Sequence, residues 1–334
     1  MQIEPGINRS LSESISFLRF PLIVLVVCIH VDRFRSGFFE TWWVEMVCSA
    51  AVPCYFVISG ILFFKSGFNG ELYRKSLRRR VGSLLVPYLA WNTIAIIFIA
   101  LKNYTAYRFT LPNILAGLWD AHYSFIEASG HSPMDFPLWY VRDLMVCCVL
   151  SPVIFFLIKR TNILLPGVVL FLWILGIDTD IVGLSIISLA FFSLGGYIAL
   201  YGIDITDKRI FRYGGLTAVL MLLLSLAAEY GSVWQNGYVS KICDLTLVSV
   251  LFPVGAYLSN RHSKAGRMVT ELGKYVFFIY AAHALIVKPI SGFVYSRVDS
   301  SFFAFVSSTV ITLTMCLIMA WTSRKLKLRL LIGR

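Results

Sequence analysis

Arg19 and His30 stand eleven positions apart in an otherwise almost wholly apolar stretch, SFLRFPLIVLVVCIH, residues 16 to 30. At 3.6 residues per turn this spacing is close to three turns, so a helix puts both side chains on one face, about 16 Å apart along its axis. The shared face suggests that both line one interior path, where a histidine can serve as a base and an arginine can bind an anion. Each also has a plainer reading, in which Arg19 snorkels to one water boundary and His30 reaches the other. Arg142 and Asp143 make a second ionisable pair, beside Trp139 and Tyr140, a grouping that equally suits a charged cap within an interfacial aromatic belt. His283 follows Phe277, Phe278, Ile279 and Tyr280, so its partner is expected across the fold. An Arg or Asp at mid-membrane costs roughly 2.5–3.5 kcal/mol on the mildest scale, so such residues usually serve a function.

The elements that position them are membrane helices. Of the 334 residues 58% are hydrophobic and 14% charged, against roughly 25% charged in soluble chains. Runs long enough to cross a hydrocarbon core fall near 15–32, 44–64, 84–101, 137–158, 163–177, 181–201, 213–229, 240–259, 272–290 and 302–322, the fifth being short. They lack the alternation of a barrel and must satisfy their own backbone, which predicts an all-α bundle of about ten transmembrane helices forming a single domain, 1–334. With the amino terminus inside, 20 of the 30 Lys and Arg residues fall in cytoplasmic segments and 6 in outer connections. This places both termini in the cytoplasm. The net charge of +12 is then a matter of topology and anionic lipid headgroups, and no nucleic acid is expected as a partner.

A cleaved signal peptide is not expected, because the first run carries Arg19 and Pro21 and is followed by Asp32 and Arg33. The seven cysteines all lie in predicted helices without C-x-x-C or zinc spacing, so they read as packing residues and no metal is expected. Between the second and third runs lie Arg74, Lys75, Arg78, Arg79 and Arg80. They suit both a topogenic signal and a seat for the phosphates of a nucleotide or coenzyme. Val57, Ile58, Ser59 and Gly60 close the second run; they suit close helix packing, or approach of a ligand to the backbone. The outer connection near 102–136 holds Trp119, His122, Tyr123 and His131. Its aromatic and polar residues together suit a cover over a sugar-binding site or an interfacial hairpin.

Taken in order, these stretches resemble the membrane-bound acyltransferase 3 family, whose members mostly modify bacterial surface glycans. Arg19 and His30 match its Arg-x10-His motif. YFVISG (Tyr55–Gly60) is similar to its Phe-Phe-x-x-Ser-Gly signature, and RRRVGSLLVP (Arg78–Pro87) to its basic motif. PLWYVRDL (Pro137–Leu144) and GKYVFFIYAAH (Gly273–His283) match two later patterns. Ser16 and Phe20 stand where many members have Asp and Gly, and no esterase-like domain is attached, so transfer is expected to be completed by the membrane domain or a separate partner.

The resemblance implies an integral acyltransferase of the bacterial inner membrane that moves an acyl group, acetyl first of all, from cytoplasmic acyl-coenzyme A to a hydroxyl of a surface or exported glycan. It implies Arg74, Arg78, Arg79, Arg80 and Ser59 as the acetyl-CoA seat, with Arg19, His30, Asp143 and His283 as the catalytic set. Trp139, Tyr140 and Arg142 are then expected on the acceptor. Two other classes fit a ten-helix bundle with buried charge: a secondary transporter, and a noncatalytic partner in polysaccharide export. The halves show no inverted repeat and no paired Gly/Pro breaks, which disfavours the first; an inactive homologue is expected to have lost Arg19 or His30, and both are present.

Overall fold

A computed structural model describes residues 8–31, 37–102, 110–121, 131–179, 181–227, 237–260 and 263–332. Asp32, Arg33, Arg35, Arg108, His122, Tyr123, Arg261 and Arg334 lie outside them. Every regular element among the described residues is helical.

The first helix, α1 (Arg9–His30), starts six residues before the expected apolar run because the Asn8 side chain accepts from Leu11 N at 2.7 Å and caps it. The short α2 (Phe38–Met46) leads through a 3₁₀ turn into α3 (Ala51–Phe64). The basic stretch is itself helical: α4 (Gly70–Arg80) passes through one π turn, Val81–Leu85, into α5 (Val86–Lys102). Asn69 caps Leu72 N at 2.8 Å, Glu71 sits in the first turn and three arginines in the last. Those charges favour both ends of the helix dipole. Next come α6 (Leu111–Gly117), α7 (Trp139–Thr161), α8 (Leu164–Ile174), α9 (Ile186–Leu200) and α10 (Lys208–Ala227). The chain ends with α11 (Tyr238–Asn260), α12 (Lys264–Leu272), α13 (Val276–Tyr295), α14 (Ser301–Lys325) and α15 (Arg329–Ile332).

Eight continuous helical runs among the described residues are long and apolar enough to cross a membrane, and α8 and α9 are apolar but shorter, at 11 and 15 residues. The helices α10 and α14 turn Leu216, Leu220, Leu223, Val310, Ile318 and Trp321 outward, as expected for lipid-facing surfaces.

At the centre, α1 packs against α3, α11, α12 and α13, with Leu22, Ile23 and Val27 fully buried. Close approach of backbones sets two of the crossings. A Cβ added at Gly60 of α3 would lie 2.2 Å from Phe192 O, and one at Gly195 of α9 would lie 2.2 Å from Val57 O. The Gly60 stretch therefore serves helix packing. Gly255 of α11 does the same against Ser14 and Leu18 of α1, where Ser14 Oγ also donates to Phe252 O at 2.7 Å.

Candidate active site

The crossing of α1 with α13 brings His30 against His283, with ring centroids 5.1 Å apart. The edge of Phe136, from the 3₁₀ turn before α7, meets the His30 ring at 4.8 Å. His30 is half-buried and His283 fully buried. The Nδ1 of His283 lies 3.1 Å from Ile279 O. A carbonyl only accepts, so Nδ1 carries the proton and a neutral ring presents its lone pair at Nε2. That Nε2 is buried with no hydrogen-bond partner among the described residues. The partner expected for His283 across the fold is thus the histidine of α1.

A column of aromatic rings runs from this pair toward the level of Arg19. Tyr280 lies 6.2 Å from His283, Tyr140 lies 5.8 Å from Tyr280, and Tyr55 lies 6.0 Å from Tyr140. Tyr55 Oη donates to Arg19 O at 2.7 Å. Tyr140 Oη donates to Tyr55 O at 3.2 Å, and since its one proton is then committed, Ser59 Oγ donates to Tyr140 at 2.9 Å. Ser59, Tyr140 and Arg19 therefore belong to one path through the bundle, with Arg19 half-buried at its far end.

Arg142 and Asp143 form a separate centre. They are 3% and 1% exposed and bond each other, Arg142 Nη2 to Asp143 Oδ1 at 3.1 Å. Arg142 Nη1 also donates to Trp119 O at 2.8 Å, and Asp143 Oδ2 accepts from Ser185 Oγ at 2.6 Å. A buried pair of this kind, with its remaining valences filled, makes a rigid support. The pair lines a cavity of about 380 Å³ with His131, Trp139, Asp178 and Ser185. His131 Nδ1 stands 2.7 Å from Asp120 Oδ2. Tyr88 of α5 lies within electrostatic reach of Arg142, Asp143 and Asp135, which ties this centre to the turn that carries Phe136. Tyr140, expected beside Arg142 on the acceptor, points its hydroxyl instead into the aromatic column.

On α4 the arginines divide. Arg74, Lys75 and Arg78 line an open cavity of about 600 Å³ with Gly70 and Glu71, and Arg79 is exposed on the same helix. Arg80 turns inward, its guanidinium 4.4 Å from the Phe63 ring, within reach of the Cys148 thiol and of Tyr140. The seven cysteines are buried thiols. No group of three or more metal-ligating side chains occurs among the described residues.

Sequence reasoning missed Asp135, Tyr88, Asn92 and Ser185. The signal for Asp135 was its place two residues before the PLWYVRDL stretch. Ser185 was visible only as a cap residue ahead of an apolar run.

An all-helical bundle with several membrane-length apolar runs, a histidine pair at its core and a basic helix at one end defines a polytopic membrane protein with an enclosed polar centre. The family model described as an acyltransferase domain matches residues 12–321, and the chain belongs to this acyltransferase 3 family. It is 25% identical over 293 residues to the Succinoglycan biosynthesis protein ExoH of Rhizobium meliloti (strain 1021), covering 83% of this chain and 78% of that protein. No solved structure matches.

Proposed function

We propose that this membrane acyltransferase moves an acyl group, acetyl in the first instance, from cytoplasmic acyl-coenzyme A to a hydroxyl of an exported or surface polysaccharide at the bacterial inner membrane. The observation that carries the reading is the His30–His283 pair, 5.1 Å ring to ring, with an unengaged Nε2 on His283. The polysaccharide acceptor is supported by the relative named for succinoglycan biosynthesis. The donor is supported by the open cavity at Arg74, Lys75 and Arg78, whose forked and point cations suit phosphate oxygens.

From that cavity the pantetheine arm passes Arg80 and Ser59 and follows the aromatic column past Arg19 to His30. The acceptor hydroxyl adds to the thioester carbonyl as its proton passes to His30; the C–S bond then breaks and the coenzyme thiolate takes a proton back. His283 supports the charge that His30 gains. Arg142 and Asp143 hold the wall of the acceptor cavity, with Trp139 as its aromatic face.

Purified protein in nanodiscs, incubated with radiolabelled acetyl-CoA, tests this. Wild type is expected to bind and to hydrolyse or transfer the label slowly. His30→Ala should bind without turnover, losing about 10²- to 10⁴-fold, the usual contribution of a general base. Arg19→Ala should lose turnover as well. Wild type that neither binds nor turns over the thioester, with polysaccharide supplied, sinks the proposal.

A further inference from the structure

Asp135 is 1% exposed, and both of its carboxyl oxygens are buried with no hydrogen-bond partner among the described residues. The backbone around it is firmly held. Its N–H donates to Asn92 Oδ1 at 3.0 Å, and the fully buried Asn92 in turn donates from Nδ2 to Tyr88 O at 3.0 Å. One residue on, Phe136 packs on the His30 ring at 4.8 Å. Two residues on, Pro137 O accepts from the Tyr280 hydroxyl, one helical turn from His283. A rigid turn thus carries into the neighbourhood of the histidine pair a carboxyl group with nothing to bind.

Buried polar groups are nearly always satisfied, and an unpaired one costs the full desolvation of that group. A side chain serving only the fold would be paired or replaced by an apolar residue. The other orphan beside this turn is His283 Nε2, whose proton sits on Nδ1. The two carboxyl oxygens of Asp135 alone call for a partner with O–H or N–H groups, as adjacent hydroxyls of a sugar ring offer. The polar cavity is lined by Ser132 before Asp135 and by Trp139, Arg142 and Asp143 after it in the same chain segment.

Resting on the acyltransferase reading above, we propose that Asp135 is an acceptor-binding residue that takes hydrogen bonds from hydroxyls of the polysaccharide and holds the reacting one beside His30 and His283. Burial also pushes the Asp135 carboxyl well above the usual carboxylate range. A neutral acid both donates and accepts, which suits a hydroxyl partner.

The test uses cells deleted for the gene and complemented at equal membrane level with wild type, His30→Ala, Asp135→Asn or Asp135→Ala. Acyl groups on the extracellular polysaccharide are counted by proton NMR, and each purified protein is assayed for acyl-CoA binding and thermal midpoint. Both Asp135 variants are expected to lower acylation at least about tenfold, as loss of the hydrogen bonds that hold the reacting hydroxyl would. Donor affinity should be unchanged and the thermal midpoint equal to or above that of wild type, because Asp135→Ala removes an unpaired buried polar group and Asp135→Asn removes one that can ionise. Acylation at the wild-type level by either variant overturns the proposal, and so does a loss accompanied by a lower midpoint and weaker donor binding, which marks a structural role. Absence of acylation in the wild-type complement defeats the acyltransferase reading itself, and the role of Asp135 falls with it.

Discussion

The eleven-residue spacing of Arg19 and His30 was legible because a helix turns it directly into a shared face, and the lack of local partners for His283 correctly pointed across the bundle, to a ring 5.1 Å away. Asp135 was not legible, because one carboxylate at the edge of an apolar run looks the same in sequence whether it faces water or is walled in. Its burial predicts a pH signature. An unfolded Asp titrates near about pH 3.9, and burial raises the folded value. Below the unfolded value both states hold the proton and the group costs nothing. As pH rises above it, the unfolded chain releases a proton that the folded protein keeps, and stability falls by up to about 1.4 kcal/mol per pH unit until the raised value is passed. Asparagine has no such linkage. The gain in thermal midpoint of Asp135→Asn over wild type should therefore be small near pH 4 and widen toward neutrality. The difference between the two proteins is the quantity to measure, because every other titrating group is common to both. A gap that stays flat with pH would mean that the carboxyl is solvated.

At the scale of elements, the apolar runs were readable from composition, but what the small residues and charges did with them was not. Ser59 and Gly60 are neighbours in one motif yet face different tasks: Ser59 bonds the Tyr140 hydroxyl at 2.9 Å, and Gly60 presses on the backbone of α9. A motif gives no hint of that division, since it depends on where α9 lies. Gly195→Ala would drive its methyl to 2.2 Å from Val57 O, so α3 and α9 must separate. This should lower stability by about 1–3 kcal/mol and misplace Ser59 and Tyr55 with it. Gly292→Ala in α13 meets nothing within 4 Å and should be neutral or stabilise by about 1 kcal/mol. Thermal unfolding of the two variants in one detergent, followed by size-exclusion chromatography, checks the contrast. Equal midpoints would show that the α3–α9 crossing tolerates the extra width.

At the scale of the whole molecule the open question is how many times the chain crosses the bilayer, since α8 spans only about 16 Å by helical rise. The ends of its hairpin with α9 bear on this. Ser185, just before α9, bonds Asp143 at 2.6 Å near the start of α7. Tyr201, just after α9, lies under the Lys159 ammonium at 4.9 Å, near the end of α7. Asp143 and Lys159 are about 24 Å apart along that helix, so α9 runs parallel to it and beside nearly all of it. The chain that leaves α7 at Thr161 must regain the level of Asp143 before α9 begins, through α8 and the residues that follow it. Ten crossings would require this return path, and the distribution of Lys and Arg would then put the α8–α9 connection outside and both termini in the cytoplasm. Ile181, 62% exposed in that connection, makes the count measurable. In intact cells opened only at the outer membrane, Ile181→Cys should react with a membrane-impermeant maleimide, as should Asp299→Cys between α13 and α14. Lys75→Cys on α4 and Lys327→Cys after α14 should react only after lysis, and the seven native thiols are buried and should stay dark. If Ile181→Cys instead labels only with the lysis group, the connection does not open to the outer surface beside Asp143, and the ten-crossing arrangement is overturned.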